Sequence, residues 1–195
     1  LPAGPAPAQQ HGQHHNDHAE RAEPGAENPA SQPKPAGWLV RLDRPDRGST
    51  DDVMFTAMEP GWHITTGPAV LLYHPDSTAS GNYHLETNVF LFDPGERNEG
   101  YGVFFGGNGL DGADQRYTYF LLRHDGRFLI KARNGEETTV IRDWTAHPAI
   151  RTWAGRTEGE SSVANRVIVH AEGGEVLFIV NGAAVAQVPR SELPT

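Results

Sequence analysis

The stretch RYTYFLLRHDGRFLIKARNGEETTVI, Arg116 to Ile141, carries the pattern on which the fold turns. Strand-like runs rich in aromatic and branched residues are separated by Asp125-Gly126 and Asn134-Gly135. Such pairs between strand-like runs mark two-residue hairpin turns, so the spacing predicts a meander of antiparallel strands. Upstream, NYHLETNVFLF alternates cleanly. Tyr83, Leu85, Thr87, Val89 and Leu91 share one side, and His84, Glu86, Asn88, Phe90 and Phe92 share the other. Downstream, NRVIVHAEGGEVLFIVNGAAVAQV supplies two alternating strands around Gly173-Gly174 and a further turn at Asn181-Gly182. With WLVRL, DVMFTAM and WHITTGPAVLLYH before them, the strands number roughly ten, the count of a two-sheet sandwich. The expected fold class is therefore all-β.

The 195 residues suffice for one sizeable domain with a tail. Glycine at 22 and proline at 15 suit many short strands joined by turns. A formal charge of -9 excludes the basic stripe that a phosphate backbone rewards, so no nucleic-acid partner is expected. No apolar run approaches the roughly 20 residues of a membrane-spanning helix. Cysteine is absent, which removes disulfides, thiolate metal sites and a cysteine nucleophile.

Residues 1–36 lack apolar periodicity and are dominated by Pro, Ala, Glu, Gln and His, a composition predicting a disordered or extended tail. Within it, Ala6-Pro7-Ala8 before Gln9 resembles the small-x-small end of a secretory signal, so residues 1–8 read as its remnant and the protein as secreted or periplasmic. QQHGQHHNDHAE then places His11, His14, His15 and His18 close enough to share one copper, nickel or zinc ion, metals that imidazole suits. The plainer reading is a polar spacer, because an unstructured tail must offset its own ordering entropy and fixes no ring orientation. The sandwich domain is expected over residues 37–195. The stretch DWTAHPAIRTWAGRTEGESS, residues 143–162, has no clean period and reads as a long loop with room for one helical turn.

Three segments, GNYHLETNVFLFDPGERNEGYGVFFGG, YTYFLLRHDGRFLIKARNG and ANRVIVHAEGGEVLFIVNGAAVAQVP, resemble the concanavalin A-like jelly-roll domains of the 3-keto-disaccharide hydrolase family. The most specific part is Asn165-Arg166, the Gly173-Gly174 hairpin and Asn181-Gly182. The resemblance implies a jelly roll with a carbohydrate partner and, in the family's enzymes, glycoside cleavage. It also implies a further C-terminal strand after this hairpin, which the sequence does not show before Thr195. Related retaining glucanases place an acid and a nucleophile about 5 Å apart, from carboxylates alternating on one strand. Here that strand offers Glu86 alone, the one weak catalytic candidate, followed on its side by Asn88 and Phe90.

His84, Glu86 and Asn88 are expected to line a sugar groove, joined by Tyr117, Tyr119 and Arg123, since rings stack on aromatics and carboxylates or amides hold hydroxyls. A solvent-facing sheet alternates in the same way without binding anything. Trp144 and Trp153 are read as loop indoles able to form a sugar platform or to staple the loop down; Trp62 is read as core. Asp93, Glu96, Asp111 and Asp114 sit in turn sequences and are the calcium candidates, although turn formation accounts for them better, since the segments lack a dense Asp/Asn ladder. No nucleophile elbow, zincin helix or phosphate loop appears. The leading expectation is an exported, non-catalytic carbohydrate-recognising domain that requires no cofactor. The alternatives are a hydrolase of 3-keto-disaccharides, and an assembly subunit that forms a homo-oligomer through its tail or an open sheet edge.

Overall fold

The computed structural model describes residues 32–194. The readings that concern residues 1–31, namely the signal remnant, the tail and the imidazoles of His11, His14, His15 and His18, lie outside the described residues. Among those described, the chain forms twelve strands: β1 (Leu39–Leu42), β2 (Val53–Met58), β3 (Gly61–Thr66), β4 (Val70–Tyr73), β5 (Tyr83–Leu91), β6 (Tyr101–Asn108), β7 (Arg116–Leu122), β8 (Arg127–Asn134), β9 (Glu137–Ala146), β10 (Val163–Glu172), β11 (Glu175–Val180) and β12 (Ala183–Pro189). All pairings are antiparallel, and the architecture is a two-sheet jelly-roll sandwich.

The first sheet runs β12-β11-β10-β5 and the second β6-β7-β8-β9. The chain thus crosses from β5 into the second sheet, completes the meander there and returns for β10 to β12. Alternation decides the core. In β5 the residues from Tyr83 to Leu91 alternate between half-buried and exposed along its whole length, as a strand with one wet face must. Phe120, Leu122, Phe128 and Ile130 of the second sheet meet Val167, Val169, Phe178 and Val180 of the first. The Phe120 and Phe178 rings lie 4.9 Å apart in a T-shaped contact, the geometry their quadrupoles favour.

Two small ribbons flank the sandwich, β1-β4 and β2-β3. The β1-β4 ribbon lies over the outward side of the second sheet. Tyr73 of β4 packs edge-on against Phe104 of β6, and Asp43, just after β1, bonds to Tyr117, Tyr119 and Arg133. Gln32 forms an isolated bridge to Phe55 of β2, so pairing begins upstream of Gly37.

Several expectations are corrected here. Asp125-Gly126 closes a longer turn than two residues: Arg123 N donates to Arg127 O at 2.9 Å and Gly126 N to Arg123 O at 3.1 Å. That leaves a three-residue loop ending in a left-handed glycine, with φ 82° at Gly126. Gly173-Gly174 and Asn181-Gly182 are two-residue turns, and Asn181 carries φ 51°. The segment read as a loop from residue 143 is strand through Ala146, which puts Trp144 in β9; no helix forms between β9 and β10. Trp62 is not core. It shares the side of the buried Phe55 and packs edge-on against that ring, yet stays 40 % exposed because it stands at the open end of a two-stranded ribbon.

Candidate functional site

The site is built where the β7-β8 turn meets the segment after β9. Backbone hydrogen bonds join the two: His147 N donates to Gly126 O at 3.0 Å and Trp153 N to His124 O at 2.9 Å. The approach is close enough that a Cβ on Gly126 would stand 2.9 Å from Thr152 Cγ2, so glycine is required there for space as well as for its positive φ. Between turn and segment lies an open groove of about 490 Å³, lined by Asp125, Gly126, Ala146, His147, Pro148, Ile150, Arg151, Thr152 and Gly155.

The groove's wall is held from behind. Asn165 of β10 is fully buried, and its Oδ1 accepts from Arg151 N at 2.9 Å while its Nδ2 donates to Arg151 O at 3.2 Å. Asn181 Nδ2 donates to the same Asn165 oxygen at 2.8 Å and to Ala149 O at 2.7 Å. Ile150, 3 % exposed, plugs the segment into the core. These contacts give a physical role to Asn165 and Asn181: they buckle the groove wall to the first sheet. A segment without secondary structure normally has a loosely determined path; this one does not.

The groove's polar groups are set by their partners. Arg123 grips Asp125 through Nε to Oδ1 at 2.9 Å and Nη2 to Oδ2 at 2.5 Å, and Arg127 Nε stands 3.3 Å from Oδ2. The Arg123 hydrogen bonds hold the Asp125 carboxyl below the usual carboxylate range against the opposing effect of burial. His147 Nδ1 accepts from Ala149 N at 3.2 Å, which leaves Nε2 as its outward nitrogen. Arg151 pairs with Glu160 at 3.2 Å, and Glu160 is lowered chiefly by the Thr157 backbone N–H. Two indoles flank this end. The Arg123 guanidinium sits 4.9 Å over the Trp144 ring, and Arg156 sits 4.0 Å over Trp153.

Of the residues singled out in the sequence, the structure therefore brings together Arg123, Trp144 and Trp153. It separates the others from them. His84, Glu86 and Asn88 lie on the outward side of β5 in the first sheet. There Glu86 accepts from Arg166 Nε at 2.6 Å and stands 3.1 Å from His84 Nε2, and the Arg166 hydrogen bond, with that of His84, brings its pKa down to about 2. A carboxyl so strongly acidic is no proton donor near neutrality.

Tyr117 and Tyr119 lie on the outward side of the second sheet, beneath the β1-β4 ribbon, so they do not join the β5 face. Tyr117 is fully buried and Tyr119 partly so. Both hydroxyls donate to Asp43 Oδ1, while Arg133, 4 % exposed, donates to Asp43 Oδ2 at 2.8 Å. Burial alone would raise Asp43; the two tyrosines and Arg133 outweigh it and hold the carboxyl low. The same burial, with the Asp43 charge, pushes Tyr119 up to about 12 and Tyr117 higher still. This is a closed cluster whose members satisfy one another.

Among the described residues, no group of three or more His, Cys, Asp or Glu has the geometry of a metal site. Of the calcium candidates, Asp93 accepts from Gly95 N at 2.8 Å, the bond of an Asx turn. No described helix is long and apolar enough to cross a membrane. Sequence reasoning missed Asp125, His147, Arg151 and Thr152 as groove residues. In the sequence Asp125 is only a turn former, and nothing local says that the turn faces a wall brought back from beyond β9.

The class defined by fold and site is an all-β sandwich with an open polar groove at one end of its second sheet. No protein-family model, curated protein or solved structure matches the chain.

Proposed function

We propose that the chain is a carbohydrate-recognising module, exported from the cell, that holds its glycan in the groove between the β7-β8 turn and the Ala146–Gly155 segment. The observation that carries this reading is the rigid mixture of groups there. An ionised acceptor at Asp125, the outward nitrogen of His147, the Arg151 guanidinium and the Thr152 hydroxyl converge on one groove beside two indoles. Sugar hydroxyls need paired donors and acceptors whose positions do not have to be ordered on binding. The backbone clasps and the Asn165 buckle supply that preorganisation.

Retention is favoured over cleavage. A glycosidase acid needs a carboxyl whose pKa is raised, whereas Asp125 and Glu160 at this end are both lowered. The alternation of small residues at Ala6-Pro7-Ala8 supports export.

The test is a glycan array, followed by titration calorimetry on the best binder, with the full chain and the variants Asp125→Asn and Arg151→Ala. Each variant should weaken binding about tenfold, the loss of one charged hydrogen-bond partner. Wild-type affinity in both variants would remove the groove from consideration. Incubating the wild-type chain with oxidised disaccharides decides the enzymatic alternative: release of monosaccharide above the blank would establish the hydrolase reading in place of this one.

A further inference from the structure

A second site is carried by Arg41, outside the groove and independent of it. In β1, Arg41 lies opposite Leu71 of β4, and Leu39 lies opposite Tyr73. Paired residues of an antiparallel ribbon share a side. Leu71 is 4 % exposed and Tyr73 packs on Phe104, so Arg41 belongs to the inward side, turned toward the second sheet.

Two buried side-chain polar atoms among the described residues have no hydrogen-bond partner, and one is Arg41 Nη1. The other, Gln115 Oε1, ends the loop that carries Leu110 and Asp111. Arg41 Nε donates only to Leu42 O, at 3.3 Å. The carboxylate that the ribbon itself offers, Asp43, is committed in full to Tyr117, Tyr119 and Arg133. A guanidinium is never neutral, so among the described residues its buried Nη1 edge is a charged donor without an acceptor.

That place adjoins a cleft of about 380 Å³ lined by Leu39, Val40, Arg41, Leu42, Pro45, Tyr73, Leu110 and Asp111. Five of the residues that line it are aliphatic or proline, and one is aromatic. Asp111 stands at the same cleft yet leaves Arg41 Nη1 unpartnered. The dimensions are those of a small-molecule pocket, and the chemistry is a mainly apolar slot where, among the described residues, Arg41 Nη1 has no partner.

We propose that the cleft between the β1-β4 ribbon and the Leu110–Asp111 loop binds a small organic carboxylate, its anion paired with the Arg41 guanidinium and its apolar body laid against Leu39, Pro45 and Leu110. The guanidinium fork matches a carboxylate in two parallel hydrogen bonds. The apolar walls exclude water from that pair and select against a bare inorganic anion.

Titrating the ¹⁵N-labelled full chain with benzoate, benzamide and inorganic phosphate tests this. Benzoate should move the amides of Leu39–Leu42, Leu110 and Asp111 saturably, and benzamide and phosphate should bind at least tenfold more weakly. In Arg41→Met, benzoate binding should fall at least tenfold, while Arg41→Lys, which keeps the charge but not the fork, should lose less. Without ligand, Arg41→Met should melt no lower than the wild type, since removing an unpaired buried charge relieves rather than breaks a contact. A lower melting temperature for Arg41→Met would show that Arg41 has a structural partner and would overturn the proposal. So would equal binding of benzoate and phosphate, shifts confined to the Ala146–Gly155 groove, or no saturable shift at all.

Discussion

Glu86 with Arg166 and Asp43 with Arg133 are both carboxylate–guanidinium pairs on the outward side of a sheet, and their bonds are of similar length, 2.6 Å and 2.8 Å. Their surroundings differ. The first pair stands on the open side of the first sheet, with side chains 38 % and 51 % exposed; the second lies under the β1-β4 ribbon, with Arg133 4 % exposed. Water screens the first pair and competes for every one of its hydrogen bonds. Under the ribbon that competition is much reduced, with Asp43 18 % exposed, so each member of the second cluster depends on the others. The difference teaches that alternation places a charge outward but cannot say whether outward is wet.

The largest test of that contrast is Asp43→Ala. It removes the carboxylate shared by Arg133 and two tyrosine hydroxyls, leaving the buried guanidinium only neutral acceptors, and should cost about 3 kcal/mol, the low end for breaking a buried pair. Urea denaturation measures it; a loss no greater than that of Glu86→Ala would erase the distinction between the two faces. Glu86→Ala itself should leave the midpoint unmoved at physiological ionic strength.

Asn165→Ala comes next. It strips the partners from both backbone groups of Arg151 and should cost about 2 kcal/mol, from buried groups left unpaired. Hydrogen exchange at Ala149–Trp153 should quicken at the same time, which a merely space-filling role for Asn165 would not produce. Gly126→Ala follows at about 1 to 2 kcal/mol, from its left-handed φ together with the Thr152 contact. Unchanged exchange at His147 and Trp153 in that variant would show that the turn and the groove wall are not clasped.

The smallest effect is in the pH profile. Asp43 is lowered from its ordinary value of 3.8, so its contribution is complete above that value and is lost as pH falls through the folded one. Glu86, lowered from 4.5 to about 2, titrates with the same sign between those two values, but in full contact with solvent. An acid scan should therefore become shallower in Asp43→Asn and keep its shape in Glu86→Gln. The opposite ranking would place the dominant acid-sensitive pair on the open face.

Legibility followed the same line. The alternation of β5 from Tyr83 to Leu91 and the turns at Gly173-Gly174 and Asn181-Gly182 are local matters, decided by the pleat and by backbone sterics over a few residues, and they were readable. Trp144 reads as a loop residue because β9 carries an extra residue at each of two register shifts against β8, which breaks its own period of two. Tyr117 alternates like a surface residue and is fully buried, because the ribbon that covers it starts more than seventy residues upstream, its bond to Asp43 spanning 74 positions. The candidate groove was half visible. Arg123, Trp144 and Trp153 were legible as residue types that suit sugars; Asp125, His147, Arg151 and Thr152 acquire their meaning from two segments meeting.

The sequence by itself determined that the described part of the chain is a set of short antiparallel strands, several with one greasy and one polar side as in β5, since a period of two and the turn residues state that within a dozen residues. Only the tertiary structure decided which polar sides stay wet, which guanidinium finds a carboxylate and which, like Arg41, finds none among the described residues. Those outcomes depend on contacts between elements far apart in the chain, and burial, which sets the strength of every charged interaction here, is a property of the packed whole.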